Sequence, residues 1–285
     1  MNMNQAMLTD LYEFSMANGY CATLPHEDQA VFDIFYRNVP DHGSFVIAAG
    51  LQQVVEALRD FHFEDADIKY LRSLKLYSDT FLDYLKTMKL ACTVTALPEG
   101  TPVFPREPLL TVQGPLMQVQ LLETLLLNIV NHQSLIATKA RRITAAAEGR
   151  PVMEFGARRA QGPDASVYGA RAAVIGGCAS TSNVLAAQRF NIPAAGTMAH
   201  SWIEAFPDEL TAFRAWAKVY PDNSALLVDT YDVLKSGVPN AITVFKELKA
   251  AGHHPVGIRI DSGDITQLAK QARKMLDDAG FPDAK

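Results

Sequence analysis

The 285-residue chain has little cysteine: Cys21, Cys92 and Cys178 lie far apart, are odd in number and form no C-x-x-C pair. That excludes a disulfide framework and a cysteine-based zinc site, and it suits a reducing cytoplasm. Positive charge is also scarce, with 26 Lys and Arg against 31 Asp and Glu and a net charge of −5. A broad basic field for nucleic acid is therefore not expected, and any arginine used on a ligand must act locally. No apolar run approaches the ~20 residues that span a bilayer, so no membrane partner is expected. The stretch Met1–Asp10 lacks the basic start and apolar run of a signal peptide. Three motifs are missing as well. Without G-x-G-x-x-G after a strand, a dinucleotide fold has no positive support. Without H-E-x-x-H or G-x-S-x-G, neither a zinc hydrolase nor a Ser-His-Asp triad is indicated.

What is present describes an ordinary globular protein, with 48% hydrophobic and 20% charged residues. Two textures follow one another. Residues 1–115 mix short β-like runs with helices, for example "AVFDIFYR" and "SFVIAAG" on either side of the turn residues Pro40-Asp41-His42-Gly43. "CTVTALPEGTPVFPREPLLTVQG" carries too many prolines and glycines for helix and reads as short strands with tight turns. Residues 119–147 read as continuous helix. From residue 151, buried runs ("VMEF", "IPAAGT", "ALLVDT", "VGIRID") alternate with polar loops and helical patterns such as "SWIEAF…AFRAWAKVY" and "AITVFKELKAAG". Strand alternating with helix predicts right-handed βα units and a parallel sheet, and a barrel is the preferred arrangement. The expected organisation is an N-terminal α/β domain over 1–115 and a barrel domain over 116–285. The ending "KQARKMLDDAGFPDAK" is a helix, a stop and the lead-in to a further strand, so the barrel is expected to be incomplete within this chain.

In such a barrel the carboxyl ends of the strands face the active site. Here those ends carry Phe155, Arg158 and Arg159; Thr197 and His200; Asp229 and Asp232; and Arg259, Asp261 and Asp264. One polar end is an ordinary helix cap, a role favoured for Asp232 and Asp264 and open to Asp229 and Ser262. Successive polar ends are harder to explain by caps alone, because burying charge without a partner is costly. Arginines beside carboxylates and a histidine suit an anionic substrate that carries a divalent metal, such as a sugar phosphate with Mg²⁺.

The motifs "MLTDLYEFSMANGY", "LLETLLLNIVNHQSLIATKARR", "EFGARRAQGPDAS", "TSNVLAAQRFNIPAAGTMAHSW" and "IRIDSGD" occur in this order along nearly the whole chain. Together they resemble the nicotinate phosphoribosyltransferases of the type II phosphoribosyltransferase family. The resemblance implies an irregular α/β barrel packed on an N-terminal α/β domain. It also implies an activity in NAD salvage: nicotinate joins 5-phosphoribosyl 1-pyrophosphate, coupled to ATP hydrolysis as in a ligase. Competing readings are a quinolinate or nicotinamide phosphoribosyltransferase, or a non-catalytic fragment that needs a missing C-terminal half.

The resemblance also implies residue roles. Phe155 stacks on the pyridine ring, and Arg158 approaches the base or phosphate region. Arg159, Thr197 and Lys139 become candidate phosphate contacts, although a solvated helix face is the simpler reading of Lys139. Arg259 holds substrate anions, for which a planar fork is better than a point charge. Asp229 and Asp261 bind ribose hydroxyls and Mg²⁺ and stabilise the cation-like ribose. Ser182 stands where nicotinamide-using relatives have an aspartate; a hydroxyl can donate to a carboxylate that an aspartate would repel. A cap for the next helix is its bland alternative. His200 matches a histidine phosphorylated by ATP, while His26, His42, His62, His132, His253 and His254 default to structural roles. Asp10 and Tyr12 are expected to complete the site of a second copy, giving a homodimer with shared sites. Glycine-rich phosphate loops would lie beyond position 285, so the chain by itself is expected to turn over nicotinate negligibly.

Overall fold

The computed structural model describes residues 4–285, which divide into two compact units, one running to Ala195 and one starting at Gly196. This geometric division differs from the 115/116 boundary expected from texture. The cause is packing: Val119, Leu121, Leu122, Leu125, Leu126, Ile129 and Val130 share one core with the N-terminal elements.

The first unit begins with α1 (Leu11–Thr23), β1 (Gln29–Ile34), β2 (Val46–Ile47), α2 (Leu51–Arg59), α3 (Asp65–Ser73) and α4 (Asp79–Thr87). Then come β3 (Thr93–Ala96), β4 (Pro102–Val103), β5 (Leu110–Pro115), α5 (Leu116–Leu121) and α6 (Glu123–Ala146). The proline-rich stretch is three short strands, as its composition predicts. β5 runs antiparallel between β1 and β3 and alternates buried Leu110, Val112 and Gly114 with more exposed Thr111 and Gln113. The helix expected over 119–147 breaks at Leu122. Polar residues inside α6 serve the fold. Ser134 Oγ accepts from the Ala49 amide (3.0 Å) and Thr138 Oγ1 from the Ile47 amide (2.9 Å). They satisfy the free edge of the very short β2.

The same unit continues with β6 (Met153–Glu154), α7 (Pro163–Ile175), β7 (Ser180–Thr181) and α8 (Val184–Phe190). β6 and β7 are parallel, with Glu154 opposite Thr181, and a parallel bridge joins Thr181 to Ala194. α7 lies tightly on α6. A Cβ on Gly176 would sit 2.3 Å from the Ala137 carbonyl oxygen, so only glycine permits this approach.

The second unit contains α9 (His200–Glu204), α10 (Glu209–Val219), β8 (Ala225–Leu227), a π-helical turn (Val233–Gly237), α11 (Val238–Ala250), β9 (Gly257–Arg259) and α12 (Ile265–Asp278). The helix expected from "SWIEAF…AFRAWAKVY" is two helices, because Pro207 disfavours helix before it and Asp208 caps α10 through the Thr211 amide (2.8 Å). β8 and β9 are parallel, and Phe213, Leu226, Leu227, Val228 and Phe245 form the fully buried centre. On the other edge of β9, Lys285 exchanges backbone hydrogen bonds with Val256 (3.0 Å) and Ile258 (2.7 Å). The class is α/β, as expected. No helix among the described residues is long and apolar enough to cross a membrane.

Candidate active site

In the second unit, the register that pairs Leu227 with Arg259 brings Asp229 opposite Asp261 just past the strand ends. Asp229 Oδ2 accepts from the Asp261 amide (3.1 Å) and from Ser262 Oγ (2.5 Å). Asp229 therefore ties two strand ends together and caps no helix. Its other oxygen, Oδ1, is buried and has no hydrogen-bond partner among the described residues. Arg259 donates from one nitrogen to Thr197 Oγ1 (2.7 Å) and from the other to Asp261 Oδ2 (2.9 Å). Asp261 Oδ2 also lies 3.8 Å from His200 Nε2, while His200 Nδ1 contacts Thr230 Oγ1 at 3.1 Å. Thr197, Arg259, Asp261 and His200 thus form a continuous chain, with Asp229 behind it.

Close packing sets this arrangement. A Cβ on Gly237 would come within 2.0 Å of the Val228 carbonyl oxygen, so glycine lets the π-helical turn seat against the end of β8. Asp232 and Asp264 have the capping roles expected of them. Asp232 accepts from the Leu234 and Lys235 amides, and Asp264 from the Gln267 amide. Two carboxylates, Asp229 and Asp261, face one guanidinium here, so negative charge predominates among them. Such a site favours positive charge arriving with or developing on a ligand.

In the first unit, β6 and β7 end side by side. The Ser182 amide donates to the Glu154 carbonyl (3.0 Å), and Thr181 Oγ1 donates to Glu154 Oε2 (2.6 Å). Glu154 Oε1 accepts from the Gly156 amide. Asn183, rather than Ser182, caps α8, through the Ala186 amide (3.1 Å). Ser182 is exposed, and its hydroxyl is left uncommitted among the described residues. The bland reading of Ser182 as a cap is thereby removed.

Phe155 is half-buried, and Arg158 and Arg159 are exposed on a single 3-10 turn, with Arg159 reaching the Phe155 carbonyl at 3.4 Å. Arg159, Glu154 and Gly156 line a cavity of about 800 Å³ between α6 and α7, whose lining does not include Phe155, Arg158 or Ser182. His132, set aside as structural from sequence, also lines this cavity, and burial pushes its imidazole below the ordinary value.

Asp10 and Tyr12 line a separate cavity of about 400 Å³. The Tyr12 hydroxyl donates to Glu123 Oε1 (2.8 Å), and this bond, reinforced by burial and by neighbouring carboxylates, pushes its pKa up to about 12. Lys139 lies on the exposed face of α6, 3.2 Å from Asp41. Residue types alone did not identify Glu154, Thr181 or Thr230, and gave Ser262 only as a possible cap. Their only sequence signal for a place in the site is adjacency to Phe155, Ser182, Asp229 and Asp261.

Residues 7–131 match the nicotinate phosphoribosyltransferase (NAPRTase) N-terminal domain, and residues 151–280 match the nicotinate phosphoribosyltransferase (NAPRTase) family. The chain belongs to the nicotinate phosphoribosyltransferase family. It is 48% identical over 277 residues to the nicotinate phosphoribosyltransferase of Bacillus subtilis (strain 168), covering 97% of this chain and 56% of that relative. It is 38% identical over 321 residues to the Homo sapiens nicotinate phosphoribosyltransferase, covering 95% of this chain and 60% of that relative. The chain therefore spans somewhat more than half the length of these family members. The crystal structure of human nicotinic acid phosphoribosyltransferase superposes with a TM-score of 0.86, covering 95% of this chain and 64% of that one at 38% identity. The nicotinate-nucleotide pyrophosphorylase from Pyrococcus furiosus shares the fold, with a TM-score of 0.79 over 100% of this chain and 66% of that one at 24% identity.

Proposed function

We propose that this protein acts in transfer of the phosphoribosyl group of 5-phosphoribosyl 1-pyrophosphate to nicotinate, with ATP as a phosphoryl donor, in NAD salvage. The observation that carries the reading is the Thr197–Arg259–Asp261–His200 chain with Asp229 at the ends of β8 and β9. Each residue type suits a part of the reaction. As pyrophosphate leaves, positive charge grows at the ribose C1, and fixed carboxylates at Asp229 and Asp261 stabilise it. Arg259, oriented on two sides, offers a preorganised fork to substrate anions. His200, held by Thr230 on Nδ1 and facing Asp261 on Nε2, is an imidazole placed to accept a phosphoryl group.

Mg²⁺ is part of this proposal. Magnesium takes one or two carboxylates and completes its shell with substrate phosphates and water. Asp229, with its uncommitted Oδ1, and Asp261 fit that requirement, although no group of three or more His, Cys, Asp or Glu side chains gathers among the described residues. The ion would supply charge neutralisation at the pyrophosphate.

For the base, the proposal places the Phe155 ring on the pyridine and the free Ser182 hydroxyl on the carboxylate, with Arg158 and Arg159 as further anion contacts. A homodimer with shared sites is supported by the exposed Leu11, Tyr12 and Met16 of α1, next to the cavity that Asp10 and Tyr12 line. The three free cysteines support a cytoplasmic setting. Titration calorimetry tests the base assignment: nicotinate is expected to bind more tightly than nicotinamide or quinolinate, and tighter quinolinate binding would reassign the substrate. Transfer of radiolabel from the ATP γ-phosphate is expected in the wild type and absent in His200→Ala.

A further inference from the structure

The polar group that best explains how the base-binding elements keep their shape is one to which the proposed reaction gives no role. Glu154 is the last residue of β6, and all its oxygens point to neighbouring structure. Its carbonyl holds the Ser182 amide at 3.0 Å, Oε2 takes the Thr181 hydroxyl at 2.6 Å, and Oε1 takes the Gly156 amide. Thr181 is completely buried, and its Oγ1 in turn accepts from the Asn183 amide (3.0 Å). Asn183 then caps α8 through Ala186 and contacts Ser166 Oγ of α7 at 3.3 Å. A single network therefore clamps the residues on both sides of Phe155 and on both sides of Ser182.

Neither clamped residue is held by regular structure. β6 and β7 are two residues long, too short for a sheet ladder to fix the residues that follow them. Side-chain bonds from half-buried Glu154 and buried Thr181 take the place of the missing ladder.

We propose that Glu154 is a positioning residue that, through Thr181 and the Gly156 and Ser182 amides, sets the spacing between the Phe155 ring and the Ser182 hydroxyl and thereby the preference for a pyridine carboxylate. This rests on the assignment of nicotinate to that pair. Glu154 makes no contact with the base in this scheme. Its carboxylate is occupied by two donors, the Thr181 hydroxyl and the Gly156 amide.

The test is a double-mutant cycle read by titration calorimetry with nicotinate and with nicotinamide, on the full chain. Glu154→Ala and the near-isosteric Thr181→Val are each expected to weaken nicotinate binding about tenfold. The double variant is expected to lose clearly less than the sum of the two single losses, because both changes remove the shared Glu154–Thr181 bond while each also removes one of its own. Nicotinamide affinity should stay within about twofold, since a hydroxyl misplaced by a fraction of an ångström matters chiefly to the carboxylate. Equal losses for the two bases, additive losses, or no loss would each overturn the proposal. Thr181→Val carries the test if Glu154→Ala does not fold. If the wild type binds nicotinamide or quinolinate in preference to nicotinate, the base assignment fails and this inference with it. Failure confined to the variants leaves the assignment standing.

Discussion

Two arginine–carboxylate pairs of the same chemistry, one in each unit, have different surroundings. In the first unit Arg171 grips Glu99 with both terminal nitrogens (2.8 and 2.6 Å), the side chains are 14% and 19% exposed, and the Gly50 amide occupies Glu99 as well (2.7 Å). In the second unit Arg259 meets Asp261 through one nitrogen, the pair is 24% and 37% exposed, and a histidine stands beside it. The first pair is saturated and closed and fastens the start of α2 to α7. The second lies at open strand ends, with the uncommitted Asp229 oxygen close by. Charge type alone does not distinguish the two pairs; their exposure and the histidine beside the second one do.

Breaking the open pair should give the largest effect. Arg259→Ala is expected to weaken binding of phosphoribosyl pyrophosphate by about 10²-fold in titration calorimetry, with a smaller stability loss than Arg171→Ala. The opposite pattern would make Arg259 a structural residue and erase the contrast.

Breaking the closed pair comes next. Arg171→Ala should cost about 3 kcal/mol in denaturant unfolding, because it leaves a buried carboxylate unpaired. The pair also predicts a pH dependence. Burial pushes the Glu99 carboxyl up, but the Arg171 fork and the Gly50 and Leu51 amides outweigh it and hold the pKa below its ordinary 4.5. A depressed folded pKa contributes stability that is present above the unfolded value and lost as pH falls through the folded one. The wild-type stability curve should therefore fall more steeply below about pH 4.5 than that of Arg171→Ala.

A third change sharpens the comparison at the uncharged site. Ser182→Asp should lower nicotinate affinity about tenfold and narrow or reverse the preference over nicotinamide, since two carboxylates would then face each other. The smallest effect is expected at an exposed pair, Lys139 with Asp41. Lys139→Ala should change stability by less than about 0.5 kcal/mol. A tenfold loss of phosphate-ligand affinity would move Lys139 from a solvated helix face into the site.

Much of this was legible in the residues because it rests on local chemistry. Asp232 and Asp264 read as caps because an Asx oxygen satisfies the amides that follow it. The proline-rich stretch read as strands because it could not be helix. Asp229 was misread as a possible cap because its partners, the Asp261 amide and Ser262, are remote in sequence and reach it only through the register of β8 with β9. The packing of α5 and α6 with the N-terminal elements depends on remote partners in the same way, whereas the helix break at Pro207 has a local signal, the proline followed by the Asp208 cap. Helical patterning shows that a face is apolar, not which neighbour buries it.

The sequence by itself determined the α/β alternation, the family and the chemical types at the strand ends, since periodicity and motif order are properties of the chain in one dimension. Tertiary structure alone decided that Asn183 takes the cap and frees Ser182, that Glu154 clamps both strand ends, and that Arg259 lies between Thr197 and Asp261. A hydroxyl or carboxylate has several possible partners along the chain, and only packing selects which of them comes within hydrogen-bonding distance.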